Sequence, residues 1–169
     1  MMLSDKDLSK LIENRKLVIR PFDSSAIGCA SIDLTLSDKF AEYSEDIDSH
    51  VTPSITRSFS ASNIKLLQNG FVLGMTREYI RIPNGYYGFI ETRGNFARAG
   101  ITVSSNDGHI DPGTDSMITL EIHNRNSVGI TLYAGDRICQ LFICQLSSPS
   151  SSLYTGKYAH QTKPTVFIP

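Results

Sequence analysis

Between Ser4 and Arg15 the apolar residues Leu8, Leu11 and Ile12 fall on one face of a helix. Ser4, with Asp7 three positions on, forms an imperfect capping box ahead of them, and Asn14 predicts the stop. This is the only convincing helix; the rest of the chain is punctuated strand. Leu17–Arg20 ends at Pro21, and Ser31–Leu36 alternates as SIDLTL. From Phe71 onward short strand signals follow one another at the spacing of a sandwich or barrel: FVLGMT, YIRIP, YGFIET, ITVSS, MITLEI, GITLY and RICQLFICQL. Turns separate them at Pro83-Asn84-Gly85, Asn106-Asp107-Gly108, Pro112-Gly113 and Ala134-Gly135-Asp136. The stretch 42–65 is polar, with Pro53 and serines at 54, 58, 60 and 62, and predicts a long loop. The run SSPSSS at 147–152 predicts a flexible linker, followed by a tail, Leu153–Pro169, rich in Tyr, Lys and Gln. The pattern as a whole predicts a mainly β fold with a short N-terminal helix.

The chain has 169 residues, which on the length prior is one domain with a short appendage. We place the domain at 1–146 and the appendage at 147–169. Sixteen basic side chains against seventeen acidic ones leave a net charge of −1, without the basic stripe of a duplex nucleic-acid binder. No apolar run approaches a membrane span and the start has no signal-peptide core, so the expectation is a cytoplasmic protein with neither membrane nor nucleic acid as partner. Cys29, Cys139 and Cys144 are too few and too far apart for a disulfide framework or a zinc site, and the last two are expected as buried thiols.

Several chemistries are missing. None of His50, His109, His123 and His160 has a glutamate two residues on, and there is no Cys-x-x-Cys, so the zinc-dependent nucleobase deaminases are excluded. A Walker loop, a Gly-x-Gly-x-x-Gly and a Gly-x-Ser-x-Gly are absent as well. What remains is a set of modest signals. In Met117–Ile122, period two puts Ile118, Leu120 and Ile122 on one face and Met117, Thr119 and Glu121 on the other, where Glu121 is a catalytic carboxylate or a solvated edge charge. Arg93-Gly94-Asn95-Phe96-Ala97-Arg98 suits an anion, with glycine admitting backbone N–H groups and guanidinium pairing with phosphate; a surface turn accounts for it equally well. The hairpin Asn106-Asp107-Gly108-His109-Ile110-Asp111-Pro112-Gly113 offers bare backbone groups that can read a base edge. Its Asp111 is held extended by Pro112, or caps its own turn. Gly135-Asp136-Arg137-Ile138-Cys139-Gln140 puts Gln140 on a strand.

In this order, beginning with Ser31-Ile32-Asp33-Leu34 and ending with Lys157-Tyr158-Ala159-His160-Gln161, the motifs resemble the superfamily of trimeric dUTPases and dCTP deaminases. The opening segment and the tail are similar to the dCTP deaminase branch. The resemblance implies a dUTPase-like distorted β-barrel, or β-clip, assembled as a homotrimer. It implies dCTP or dUTP as ligand, with Mg²⁺ carried on the triphosphate. It assigns phosphate to Arg93, Gly94, Asn95, Arg98 and Gln140, and the base to the hairpin residues Asn106, Asp107 and His109. Glu121 becomes the proton shuttle of deamination, and Asp111 the carboxylate that serves the deoxyribose and diphosphate loss. Tyr154, Lys157 and Gln161 belong to a tail that closes over the nucleotide.

The chain departs from the family pattern at four positions. Gly94 and Asn95 replace a pair of serines, Thr114 replaces an aromatic, and His109 stands where arginine is frequent. The expected activity is deamination of dCTP, with or without hydrolysis of dUTP to dUMP. A dUTP diphosphatase and a non-catalytic nucleotide binder are the alternatives.

Overall fold

The computed structural model of the chain describes residues 1–53, 56–104 and 107–169. The predicted helix is α1, Asp5–Glu13, and both halves of the capping box close: Ser4 accepts from the Asp7 N–H, and the Asp7 carboxylate accepts from the Ser4 N–H. Leu8 and Leu11 are its buried face. The strands are β1 Val18–Arg20, β2 Ile32–Thr35, β3 Lys39–Tyr43, β4 Thr56–Ser60, β5 Asn63–Leu66, β6 Phe71–Arg81 and β7 Tyr86–Thr92. A second helix, α2, spans Gly94–Arg98, and the strands continue with β8 Ile101–Val103, β9 His109–Ile110, β10 Asp115–Asn124, β11 Ile130–Tyr133 and β12 Arg137–Gln145. The fold is therefore mainly β, as expected, although the Arg93–Arg98 turn winds into a helix of its own.

One sheet runs β4-β3-β6-β10-β8, with β1 also on β6; a second runs β2-β12-β7-β9; β11 and β5 form a pair. FVLGMT and YIRIP are one strand, β6. It serves two partners on one edge, β3 at Leu73 and β1 at Tyr79–Arg81, with β10 along the other. The core lies between the sheets. Leu34, Leu36, Phe40, Val72, Ile80, Leu120, Ile122, Ile138, Leu141 and Ile143 are all fully buried. Burial on this scale is the main source of stability, since each such side chain contributes roughly 1.5–3 kcal/mol.

Three expectations need correction. The stretch 42–65 is not a loop throughout: β3 runs into it, β4 folds back on β3, and β5 pairs with β11. β4 sits at the outer edge of its sheet, where backbone bonds to β3 suffice and only one face needs apolar side chains. Phe59 supplies that face, stacked 5.7 Å from Phe40, with the Arg57 guanidinium 5.0 Å over its ring. Ser54 lies outside the described residues. Ile118 packs against the core of Leu120 and Ile122 but is only partly buried and also faces a cavity, because the β6–β10 register shifts between Met117 and Thr119. The fully buried Thr76 hydroxyl holds this bulge, accepting the Ile118 N–H at 2.9 Å and donating to the Glu78 carbonyl at 2.8 Å. Of the two thiols expected inside, Cys139 is buried and its pKa pushed up by burial, whereas Cys144 is only partly buried.

The 147–152 segment docks on the Pro83–Gly85 turn: Ser150 N–H donates to the Asn84 side chain at 2.9 Å, and Asn84 Nδ2 returns a bond to the Ser150 carbonyl. Among the described residues no helix is long and apolar enough to cross a membrane.

Candidate active site

β8 and β10 are paired, with Val103 opposite Ile122. The chain between them leaves the large sheet, and His109 and Ile110 pair as β9 with Phe89 and Gly88 of β7. The hairpin thus bridges the two sheets and overhangs the face of β10 that carries Thr119 and Glu121. The space beneath it is a cavity of about 290 Å³ lined by Glu121, Asp111, Asp107, His109, Tyr154 and Gln161, six of the residues expected at the site. Its apolar floor includes Ile118, turned there by the bulge, together with Leu73 and Ile110. Tyr158, part of the tail motif, also lines it, as do Tyr43 and Phe167, which had no signal in the sequence pattern because β3 and the end of the tail bring them there only in the folded chain. Asn106 lies outside the described residues.

Glu121 is the chemically distinctive group. Burial pushes its pKa up. The Ser104 hydroxyl and the residue's own backbone N–H pull it partly back, while the charge of Asp107 adds to the rise. A carboxyl tuned this way exchanges protons more readily near neutral pH than an exposed one. Asp107 itself is held by His109 Nδ1 at 2.7 Å, and the His109 ring lies parallel to that of Tyr87 at 6.5 Å.

The tail crosses this cavity. Gln161 takes up the bulge of β10: its N–H donates to Ser116 Oγ at 2.8 Å, its carbonyl accepts from the Met117 N–H at 3.2 Å, and its side-chain oxygen meets the Thr119 hydroxyl. Thr165 N–H donates to Thr119 Oγ1 at 3.1 Å and Phe167 N–H to the Tyr43 hydroxyl at 2.8 Å. Tyr154 N–H donates to the Pro112 carbonyl at 2.9 Å. Lys157 is not at the cavity; its ammonium reaches the carbonyls of Ile168 and Pro169.

The residues expected to meet phosphate gather elsewhere. On the β2–β12–β7 sheet Asp33, with a side chain only 10% exposed, receives Arg93 at 3.2 Å, Gln140 Nε2 at 3.1 Å and, more distantly, Arg137 at 3.8 Å. Asp33 lies in the Ser31–Leu34 motif, and the resemblance gives it no role of its own. Its signal was a carboxylate between two apolar strand positions, Ile32 and Leu34. Gly94 and Asn95 open α2, and the exposed Arg98 folds back so that Nη1 donates to the Gly94 carbonyl at 3.1 Å. A Cβ at position 94 would stand 2.9 Å from that same Nη1, so the absent serine leaves the space that Arg98 occupies. None of Arg93, Gly94, Asn95, Arg98 and Gln140 lines the cavity that holds Glu121.

Among the described residues no group of three or more His, Cys, Asp or Glu side chains could hold a metal ion. Asp33, already engaged by cations and an amide, offers little to Mg²⁺.

Comparison with known proteins agrees with this architecture. Proteins named dCTP deaminase, dUMP-forming, from Dictyoglomus turgidum and Hydrogenobaculum are 35% and 38% identical to the chain; the matches cover 98% and 95% of it and 93% and 92% of those proteins. A solved 2′-deoxycytidine 5′-triphosphate deaminase from Agrobacterium tumefaciens superposes with a TM-score of 0.67 at 17% identity over 84% of this chain. The chain spans about half, 47%, of that longer protein. A dUTPase from phage phi11 of S. aureus gives a TM-score of 0.53 at 15% identity, covering 84% of this chain and 97% of its own. At such identities the two structures speak for the fold alone, and it is the dUTPase-like fold expected from the motifs. The family described as dCTP deaminase-like matches residues 2–146, and with relatives of this identity along nearly its whole length the chain belongs to that family.

Proposed function

We propose that the chain is a cytoplasmic homotrimeric enzyme that deaminates dCTP to dUTP and ammonia and then hydrolyses dUTP to dUMP and diphosphate. The observation that carries this reading is the buried, upward-shifted carboxyl of Glu121 in one cavity with Asp111. The names of the relatives from Dictyoglomus turgidum and Hydrogenobaculum, dUMP-forming, support the second step.

In the first step water adds to C4 of the pyrimidine. Glu121 as carboxylate takes the water's proton and, as acid, delivers it to the departing amine, so one group serves both transfers. In the second step water attacks the α-phosphorus and diphosphate leaves. Asp111, on the hairpin, orients that water and the sugar. Mg²⁺ bound to the triphosphate offsets phosphate charge. Arg93, Arg98 and Gln140 supply the remaining cationic and polar contacts. Because Arg93, Arg98 and Gln140 do not line the cavity of their own chain, a complete site draws them from a neighbouring subunit; this supports the trimer. The tail, 147–169, acts as the lid of the 1–146 domain, and its bonds to Ser116, Thr119 and Pro112 support that role.

Separate incubations with dCTP and dUTP, following ammonia and diphosphate, test the reading. Both products from dCTP are expected. Diphosphate from dUTP with no ammonia from dCTP would make the protein a dUTP diphosphatase, and binding with neither product a nucleotide sensor. Sedimentation as a monomer at micromolar concentration would overturn the assembly.

A further inference from the structure

Behind Glu121 lies a group that neither the motifs nor the proposed mechanism uses. β8 ends at Val103, and the next residue, Ser104, has φ +47°. A left-handed serine is uncommon and strained. Its consequence is visible in the burial of the strand: Ile101 and Val103 face inward, and Ser104, which plain alternation would turn outward, is also buried, at 3% exposure. The Ser104 N–H donates to the Glu121 carbonyl at 2.9 Å, fixing the two residues side by side on neighbouring strands. Ser104 Oγ and Glu121 Oε2 are the buried side-chain polar atoms that, among the described residues, have no hydrogen-bond partner of ordinary geometry. Buried polar groups are rarely left so, and two of them on adjacent backbones point to a shared purpose.

We infer that Ser104 is a positioning residue for Glu121, its hydroxyl holding the inner carboxyl oxygen in both protonation states of the shuttle. The inference rests on Glu121 being that shuttle. A hydroxyl suits the task because it both donates and accepts. It donates to the carboxylate before the proton is taken up and accepts from the acid afterwards, so the carboxyl keeps its aim through the cycle. An apolar side chain would leave Glu121 Oε2 orphaned in either state. Asp107, His109 and Asp111 on the hairpin, Tyr43 on β3, and Tyr154 and Tyr158 on the tail line the same cavity as Glu121. Among them Asp107 raises the Glu121 pKa, against which Ser104 acts.

The test uses Ser104→Ala and Ser104→Gly in the full-length chain. Both remove the hydroxyl, and Gly in addition accepts the left-handed backbone, so it stands in if the alanine variant fails to fold. The kcat for ammonia release from dCTP should fall by about tenfold or more, the worth of one hydrogen bond to a charged group. KM for dCTP should stay within about twofold, since Ser104 lies behind the carboxyl and not against the ligand. With the donor gone the Glu121 pKa rises further, so the low-pH limb of kcat/KM should move to higher pH in both variants. Ser104→Gly with unchanged kcat and an unmoved limb overturns the inference, whether or not Ser104→Ala is impaired. Glu121→Gln, run beside them, separates the two levels: full dCTP turnover in Glu121→Gln removes the shuttle itself, whereas an inactive Glu121→Gln with an unaltered Ser104→Gly removes only the role of Ser104.

Discussion

Leu153 sits against the one face of Gly113 that a side chain would fill: a Cβ on Gly113 would lie 2.6 Å from Leu153 Cβ. Gly113 has φ +88°, and one residue later the Tyr154 N–H reaches the Pro112 carbonyl. The turn that follows Asp111 is therefore also the dock on which the tail begins its path across the cavity. Gly113→Ala should cost about 1–2 kcal/mol in backbone strain alone and displace Leu153 as well. We expect the tail to become sensitive to limited proteolysis after this substitution, with the melting temperature of the remaining β-structure falling only modestly. Deleting Tyr154–Pro169 should leave a folded protein of poor activity, measured as ammonia from dCTP.

The two carboxylates should separate by reaction. Glu121→Gln keeps shape but cannot carry a proton, so ammonia release from dCTP should drop by roughly a hundredfold or more, the general acid–base range. Hydrolysis of dUTP should fall less. Asp111→Asn should do the reverse, with diphosphate release suffering more than deamination. Parallel assays of the two products check both halves.

Glu121 also makes stability depend on pH. Its folded-state pKa is raised by burial, so the folded chain holds this proton more tightly than the unfolded one. Its contribution to stability is fully present below the unfolded value, near 4.3, and is lost as pH rises through the folded value. Glu121→Gln should consequently melt higher than the parent at neutral pH, with the gap closing as pH falls toward about 4. Thermal melts across that range decide it; a gap that does not change with pH would mean the carboxyl is not strained by burial.

Arg98 is exposed, and its guanidinium hydrogen-bonds back to its own helix at Gly94. Arg98→Ala should leave the melting temperature nearly unchanged, as surface substitutions do. Binding of dCTP, measured by titration calorimetry on a Glu121→Gln background to prevent turnover, should weaken by about 2 kcal/mol or more, the scale of truncating one partner of a desolvated charge pair. Normal binding with early melting would make Arg98 structural.

Much of the fold was legible from local signals. The capping box of α1 uses groups three residues apart, so its chemistry is complete within the segment. The alternation of Ser31–Leu36 and the turns at Gly113 and Gly135 likewise carry their own reasons. The polar strand β4 was hidden, because an edge strand draws its order from the backbone of β3 and the ring of Phe40, not from its own hydrophobicity. Six of the expected site residues met in one cavity since all belong to β10, to the hairpin that overhangs it, or to the tail laid across both.

The amino-acid sequence by itself determined the alphabet of the site: which carboxylates, arginines and glycines are present, and in what order along a β-rich chain. Tertiary structure alone decided where they act. The bulge that turns Ile118 into the cavity exists because Thr76, more than forty residues earlier, offers its hydroxyl to the Ile118 N–H. Asp33 becomes a hub only when β12 and β7 bring Gln140 and Arg93 beside it. The pKa of Glu121 rises only when the hairpin and neighbouring strands remove it from water. Register, burial and electrostatic environment are properties of paired surfaces, and a linear pattern records only one side of each pair.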